Sequence, residues 1–317
     1  MCADWSASSS TRCRKHAVPQ VNGRGARVDW RPKAARAVSD QADSRSLLPW
    51  HRACWEDLNR ARKDGRLPHA ILVTGPVGVG KRILVKTLVD SLLCPRPDTE
   101  GFACGVCPDC MLLQAGTHPD RIEVGPDPDA KSDEIKVDAV RRLVASDALT
   151  AHRGGHKVIV VDPAQQMNVN AANSLLKTLE EPAVGTLLCL ICEQPNKLPA
   201  TIRSRCQTLT LPPPPEPQAL EWLRPRMEGA DAAVLLRLAH GAPLRALALA
   251  KEQTRAQRDQ LFAGFVAVGK GERDPLAEAA AWIKPEPGIS LEWLLDWLGD
   301  LLRLTSGHEA PHLVNVD

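Results

Sequence analysis

The chain has 317 residues, of which 44% are hydrophobic, and its net charge at neutral pH is only +2. This length allows two or three domains. The small net charge and the eleven aromatic residues, none of them Tyr, exclude a stand-alone nucleic-acid binder with a basic face or a stacking platform. No apolar run approaches the roughly 18 residues of a membrane span. Ten cysteines without an apolar secretory segment argue against a disulfide framework and predict a cytoplasmic protein.

The first 46 residues differ from the rest in composition. They are rich in Ser, Arg and Ala, carry nine Lys or Arg against four acidic residues, and have no apolar periodicity. Such a segment cannot bury enough apolar surface to offset its conformational entropy. We therefore predict a disordered N-terminal extension over residues 1–46.

The segment from Gly75 to Arg82 fits the phosphate-binding template G-x-x-x-x-G-K-[ST] at every position except the last. An apolar strand is predicted before it, over 69–74, and a helix after it, over 82–93. Glycines in such a loop allow backbone N–H groups to surround phosphate oxygens, and Lys81 would reach the outer phosphates. Arg82 replaces the hydroxyl residue that would hold Mg²⁺. The alternative is a glycine-rich turn that binds no ligand.

A second part of a nucleotide site follows a later strand. The apolar run from Val158 to Val161 ends in Asp162, the position of a carboxylate that holds Mg²⁺ through water in P-loop ATPases. Pro163 stands where hydrolysing enzymes carry a Glu that polarises the attacking water. Nucleotide binding therefore remains possible, whereas hydrolysis is not expected; alternatively, Asp162 only caps the next turn. The candidate residues of this degenerate nucleotide site are Gly75, Gly78, Gly80, Lys81 and Asp162.

Short apolar strands alternate with helices over the first two thirds of the chain. The strands are predicted over 69–74, 121–124, 157–161, 186–192 and 207–211, and the main helices over 82–93, 138–149 and 168–181. This alternation predicts an α/β fold with a parallel sheet that helices cover on both faces. The proline-rich segment 211–217 is a stiff linker, and only helical patterns follow it.

Four cysteines form a candidate metal site. The pattern Cys104-x-x-Cys107-x-x-Cys110, with Cys94 upstream, offers four thiolates in a short polar insert over 94–110. Four thiolates complete the tetrahedral shell of a structural Zn²⁺, and the metal would fold an insert that is too short to have its own core. A redox pair and an iron–sulfur cluster are the alternatives.

Several longer motifs identify a family. They are L-P-H-A at 67–70, G-T-H-P-D at 116–120, N-S-L-L-K-T-L-E-E-P at 173–182 and I-R-S-R-C at 202–206. Together with the cysteine insert, they resemble the bacterial clamp-loader subunits of the AAA+ class, in particular the delta-prime subunits of DNA polymerase III. The resemblance covers residues 47–317.

The resemblance implies three domains: an AAA+ P-loop domain over 47–211, a helical lid over 212–254 and the start of a helical collar, shortened relative to the family, over 255–317. It also implies a hetero-oligomer with motor ATPase subunits and the delta subunit. That complex loads the sliding clamp on primed DNA during replication. Structural Zn²⁺ is the implied cofactor, and bound ATP or ADP is left open.

Within this family the delta-prime subunit is a non-hydrolysing stator. Arg205 matches the arginine that enters the ATP site of a neighbouring motor subunit, so the resemblance assigns it as an arginine finger acting in trans. Intrinsic ATPase activity is therefore not expected from this part of a DNA-directed DNA polymerase holoenzyme. Two alternatives stay open: an active motor ATPase, favoured by Lys81 and Asp162, and a zinc-dependent DNA-binding module, favoured by the cysteines and the basic tail.

Overall fold

The computed structural model describes residues 47–127, 132–144, 151–153, 155–227, 231–250, 252–283, 287–306 and 314–315. The predicted disordered extension over 1–46 lies outside these ranges, and so does the part of the helix predicted over 138–149 that begins at residue 145. Within the described ranges no single helix is long and apolar enough to cross a membrane. The two short helices Ala232–Leu238 and Pro243–Leu249, bent by 109° at their junction, pass that test only as a pair.

A parallel sheet forms the centre of the first half of the chain. Its strands are β1 (Ala70–Thr74), β2 (Arg121–Val124), β3 (Lys157–Val161), β4 (Thr186–Cys192) and β5 (Gln207–Thr210). They lie in the order β2-β3-β4-β1-β5, and each neighbouring pair is parallel. The predicted α/β fold class is confirmed, and the strands lie within one residue of their predicted bounds at each end.

Helices accompany the sheet and predominate in the described chain beyond the linker. In the sheet region they are α1 (Arg52–Lys63), α2 (Lys81–Leu93), α3 (Pro108–Ala115), α4 (Val137–Val144), α5 (Val169–Glu180) and α6 (Ala200–Arg203). Beyond the linker they are α7 (Glu216–Leu223), α8 (Ala232–Leu238), α9 (Pro243–Leu249), α10 (Glu252–Gly269), α11 (Pro275–Ile283) and α12 (Pro287–Thr305). The second half is thus helical, as its sequence pattern predicts.

The two faces of the sheet build two separate cores. In β1, Ile71 and Val73 pack with α2 on one face, whereas Ala70 and Leu72 pack with α5 on the other. The strands β1, β3 and β4 are buried along their whole length. Burial on both faces explains why their sequences are continuous apolar runs. Because all the strands point the same way, the loops after β1, β3 and β4 meet at the carboxyl edge of the sheet.

The helices beyond the linker share a third core. It includes Leu223, Leu235 and Leu261 as well as Trp293 and Trp297 from α12. This core extends across the predicted lid–collar boundary at 254/255, and that boundary stays a prediction.

The last helix has two different apolar faces. Trp293 and Trp297 are only 4% and 3% exposed, whereas most leucines of the same helix face outward. The exposed leucines of α12 are Leu291, Leu295, Leu298, Leu301, Leu302 and Leu304. Indole rings therefore anchor α12 to the third core, and within the described part of the chain nothing covers the leucine face.

Candidate functional site

The loop between β1 and α2 contains the glycines predicted to surround phosphate. Gly75, Gly78 and Gly80 have φ values of 143°, 88° and 93°, which L side chains rarely adopt. A Cβ at Gly75 would lie 2.3 Å from the carbonyl oxygen of Leu211, and one at Gly78 would lie 2.6 Å from the Cβ of Arg245. Glycine is therefore required by the backbone conformation and by the close approach of two later segments.

Two residues that the sequence patterns did not single out are hydrogen-bonded to this loop. The Nε1–H group of Trp50 donates to the carbonyl oxygen of Val79, and His51 Nε2 lies 2.9 Å from the same oxygen. Burial lowers the pKa of His51 to about 4, so its imidazole is neutral at physiological pH. Neither residue belongs to the P-loop template, and only the tertiary structure brings them to the loop.

Lys81 is turned toward its own loop. Its Nζ group donates to the carbonyl oxygens of Gly75 and Pro76, both at 2.8 Å, and the residue is only 4% exposed. Burial lowers the pKa of Lys81, and the nearby carboxylate of Glu193 opposes this shift. The ammonium group was predicted to reach phosphates. In the structure it instead donates hydrogen bonds to two carbonyl oxygens of the loop.

Arg82 and Asp162 are brought together, although they lie 80 positions apart in the sequence. Arg82 Nε donates to Asp162 Oδ2 at 2.5 Å, and Nη2 donates to Oδ1 at 3.0 Å. Such a two-pronged contact is the strongest geometry for an arginine–carboxylate pair. Burial raises the pKa of Asp162 to about 6, and the Arg82 guanidinium opposes that rise. The carboxylate predicted for Mg²⁺ is therefore occupied by a cation of the chain itself.

Glu193 completes this ionic cluster at the end of β4. One of its carboxylate oxygens lies 3.8 Å from Lys81 Nζ and 3.9 Å from Arg82 Nη1. The side chain of Gln165 holds the residue, because its Oε1 accepts from the Glu193 N–H group and its Nε2 donates to Glu193 Oε2. Two cations and two carboxylates therefore balance one another at the carboxyl edge of the sheet.

The four predicted cysteine ligands form one cluster. The sulfur atoms of Cys94, Cys104, Cys107 and Cys110 all lie within 4.8 Å of one another. The separations are 4.0 Å between Cys94 and Cys107 and 3.8 Å between Cys104 and Cys110. A tetrahedral ion with metal–sulfur bonds of about 2.3 Å needs sulfur atoms about 3.8 Å apart. The cluster could therefore hold a metal ion, and its geometry fits zinc.

Backbone N–H groups support the cysteine sulfurs as thiolates. The N–H of Cys104 points to the sulfur of Cys94, and the N–H of Cys110 points to that of Cys107, both at 3.4 Å. Backbone donors from Val106 and Cys107 lower the pKa of Cys104 to about 6. Burial has the opposite effect on Cys94 and raises its thiol pKa. A bound cation would compensate the buried negative charge.

A helix that the sequence patterns missed begins inside the insert and continues beyond it. Helix α3 starts directly after Cys107, which is its N-cap residue, and ends at Ala115 before the C-cap residue Gly116, whose φ is 68°. Asp109 in its first turn lies 3.3 Å from His118 Nε2 and is paired with Arg153. The insert is thereby joined to the G-T-H-P-D motif and to the segment that precedes β3.

Arg205 lies in the turn between α6 and β5. Its Nη2 group forms an ion pair with Glu180 at 2.7 Å, and its Nη1 donates to the carbonyl oxygen of Thr201 at 3.1 Å. The arginine side chain is 37% exposed. Because the strands are parallel, a residue just before β5 lies at the amino edge of the sheet, opposite the glycine loop. The structure therefore separates Arg205 from the predicted nucleotide-site residues of the glycine loop.

The strand order, the glycine loop between β1 and α2 and the cysteine insert define a P-loop protein of the AAA+ class. Family models described as "DNA polymerase III, delta subunit" and "DNA polymerase III, delta subunit, C terminal" match residues 50–215 and 252–317. With the relatives described next, these matches show that the chain belongs to the DNA polymerase III subunit delta' family.

Two curated relatives cover most of the chain. DNA polymerase III subunit delta' of Pseudomonas aeruginosa is 41% identical over 86% of this chain and 82% of its own length. The Escherichia coli subunit of the same name is 37% identical over 85% of this chain and 79% of its own length. Among solved structures, a gamma subunit-related protein from Thermotoga maritima is similar over 68% of this chain and 62% of its own, with 18% identity and a TM-score of 0.39.

Proposed function

We propose that this chain is a stator-like delta' subunit, which helps to load the sliding clamp on primed DNA without hydrolysing ATP itself. Membership of the delta' family supports the clamp-loading role. The proposed partners are motor ATPase subunits and the delta subunit, with the clamp and DNA contacted through the assembled complex. A cytoplasmic location is part of this proposal.

The contact between Arg82 and Asp162 carries the non-hydrolysing part of the proposal. In an active P-loop site, a Ser or Thr hydroxyl and a carboxylate hold the Mg²⁺ that bridges two phosphates. Here a guanidinium occupies both oxygens of the carboxylate, at 2.5 and 3.0 Å. Mg²⁺ would have to displace this pair before it could bind. Pro163, which lacks a carboxylate, cannot orient a water molecule for attack.

The place of Arg205 supports a role for this residue in another subunit's site. The glycine loop lies at the carboxyl edge of the sheet and Arg205 at the amino edge. A strand of five residues alone separates these edges by roughly 15 Å. An exposed arginine so placed cannot serve its own loop but can enter the nucleotide site of a neighbour. A guanidinium supplied in this way neutralises charge on the transferring γ-phosphoryl group, which is worth about 10³–10⁵ in rate in well-studied cases.

We further propose that the cysteine cluster holds a structural Zn²⁺ ion. The ion supplies a cross-link between four thiolates and compensates their charge. The four sulfurs complete a tetrahedral shell, and no position is left for a reacting water. The insert then stabilises the domain and takes no part in the reaction.

ATP turnover by the assembled complex tests the proposal. We expect no turnover by this chain alone and strong stimulation of the cognate motor subunits, with clamp and primed DNA present, when the wild-type chain is added. Arg205→Ala should abolish most of that stimulation, whereas Arg203→Ala, two positions away on the same surface, should not. Turnover by the isolated chain would instead identify a motor subunit, the alternative that the intact Lys81 favours.

A further inference from the structure

Arg205 is held by two groups of its own chain rather than extending freely into solvent. Glu180 accepts from Nη2, and the carbonyl oxygen of Thr201 accepts from Nη1. A guanidinium has five N–H donors in a rigid, planar fork. Two of them are used by these contacts, so three remain for a ligand that approaches from outside.

Both partners of the pair sit on firmly packed segments. Glu180 is the last residue of α5, and the preceding Leu179 is 3% exposed and accepts through its carbonyl from His69 Nε2. Arg205 follows the fully buried Ile202, and Cys206 packs against the same core. The positions from which the two side chains extend are therefore fixed by the fold.

The Glu180–Arg205 ion pair contributes little to the free energy of unfolding. Its side chains are 37% and 50% exposed, and exposed ion pairs are screened by water and salt. What the pair does determine is the direction of the guanidinium. A long arginine side chain that is ordered before binding loses less conformational entropy when it meets its target.

We propose that Glu180 is a positioning residue for Arg205, which holds the guanidinium ready to enter the phosphate site of the neighbouring subunit. This inference rests on the proposed arginine-finger function and adds a residue to it. Glu180, the first glutamate of the L-K-T-L-E-E-P motif, and Arg205, the arginine of the S-R-C motif, then form one functional unit. They are 25 positions apart in the sequence. Glu180 does not touch the nucleotide; it acts through Arg205.

The size of the effect follows from the ordering of one side chain. Fixing a rotamer-rich side chain at an interface corresponds to a factor of about 2 to 12. We therefore expect Glu180→Ala to lower the stimulated kcat of the motor subunits about 3- to 10-fold. KM for ATP should stay within about twofold, since the nucleotide is bound by the neighbour. Glu180→Gln should retain part of the activity, because its amide oxygen still accepts a hydrogen bond.

The experiment measures kcat and KM of the complete complex, with clamp and primed DNA, for wild type and for Glu180→Ala, Glu180→Gln and Arg205→Ala. Glu181→Ala is the matched control, because this exposed carboxylate is the next residue in the chain. Gel filtration and thermal unfolding of each variant establish that assembly and folding are unchanged. In the Arg205→Ala background, Glu180→Ala should have no further effect, since the two residues act as one unit.

The outcomes distinguish this inference from the function on which it rests. If Arg205→Ala abolishes stimulation but Glu180→Ala equals wild type, the positioning role is wrong and the arginine finger stands. A rise in kcat for Glu180→Ala would also overturn it, since the carboxylate would then restrain Arg205. If Arg205→Ala itself has no effect, both proposals fail. An equal loss from Glu180→Ala with and without Arg205 would assign Glu180 a role independent of the finger.

Discussion

Sequence patterns predict an external ligand both at the cysteine cluster and at the glycine loop. The two sites differ in how much of the opposite charge the chain itself supplies. In the cluster, four sulfurs converge, and among the described contacts one cation of the chain, Arg62, interacts with the charge of Cys94. At the loop, Arg82 and Lys81 already balance Asp162 and Glu193. A ligand pattern therefore predicts a bound ligand where the chain does not itself balance the charge of the ligating groups.

Removal of one ligand of the proposed zinc ion should have the largest effect. A structural zinc site contributes directly to folding, so Cys107→Ser should lose the bound zinc and about 4 kcal/mol of stability, which lowers Tm by roughly 10 °C. Metal analysis of the purified chain and a thermal unfolding curve measure both quantities. Cys54→Ser, at a half-buried cysteine outside the cluster, is the control. An unchanged zinc content in Cys107→Ser would contradict the assigned ligand set.

Breaking the internal ion pair should have a smaller effect that depends on pH. Arg82→Met leaves the buried Asp162 without its nearest cation, so its folded-state pKa rises above the present value of about 6. When the pKa of a carboxyl group is higher in the folded state than in the unfolded state, the folded protein loses stability as the pH rises from the unfolded pKa to the folded pKa. We expect a loss of about 2–3 kcal/mol at pH 8 and less than about 1 kcal/mol at pH 5.

Urea unfolding at the two pH values measures this difference. The matched control is the double variant Arg82→Met/Asp162→Asn, in which both charges are removed and most of the stability at pH 8 should return. An equal loss at pH 5 and pH 8 for Arg82→Met would mean that packing of the arginine side chain, and not the charge of Asp162, determines its contribution.

Restoring the missing hydroxyl should open the nucleotide site in part. Arg82→Thr frees both oxygens of Asp162 and supplies the group that the P-loop template requires. We expect Mg²⁺-dependent ADP binding to strengthen about 10-fold, without ATP turnover, because Pro163 remains. Titration with a fluorescent ADP analogue, with Mg²⁺ or with EDTA, measures the change. Lys81→Ala added to Arg82→Thr should abolish the gain; equal binding in EDTA would contradict the proposed exclusion of the metal.

A surface pair gives the smallest expected effect. The hydrogen bond that Nε2 of the half-exposed His240 ring donates to the Asp296 carboxylate, 3.1 Å away, raises the pKa of His240. Its stabilisation is therefore present below the unfolded pKa of about 6.5 and is lost as pH rises through the folded pKa. His240→Gln should cost about 0.5 kcal/mol at pH 6 and nothing at pH 8. Urea unfolding measures this, and an equal cost at both pH values would indicate a backbone effect at this position, whose φ is 52°.

Local patterns predicted the sheet and the clustering of the four cysteines. The strands β3 and β4 are buried on both faces, so their sequences are apolar runs that stand out from their surroundings. The cysteine spacing predicted a cluster because the four cysteines lie close together in the sequence, within one short insert. Helix α3 was missed because it begins with Pro and Asp, residues more typical of turns, and because the N-cap contact that starts the helix is not visible in the sequence pattern.

The contacts on which the proposed function rests join distant segments and could not be predicted from spacing. Arg82 signals a missing hydroxyl in the template, but only the fold shows that its guanidinium is bound to Asp162. The contact of Trp50 with Val79 O depends equally on how α1 and its preceding turn pack on the loop. A resemblance to a family could name Arg205; the side chain that holds it, Glu180, needed coordinates.

The ring pair formed by Trp50 and Trp222 has a consequence for spectroscopy. The two indoles meet edge to face at 5.4 Å, one beside the glycine loop and the other in the first helix beyond the linker. Because the chain has no Tyr, its near-ultraviolet absorption and circular dichroism arise mainly from tryptophan. Indoles this close couple electronically and give an exciton signal in circular dichroism. The signal of this pair therefore reports on the contact between the sheet region and the helical region. Loss of that signal in Trp222→Phe would identify the band to follow during complex assembly.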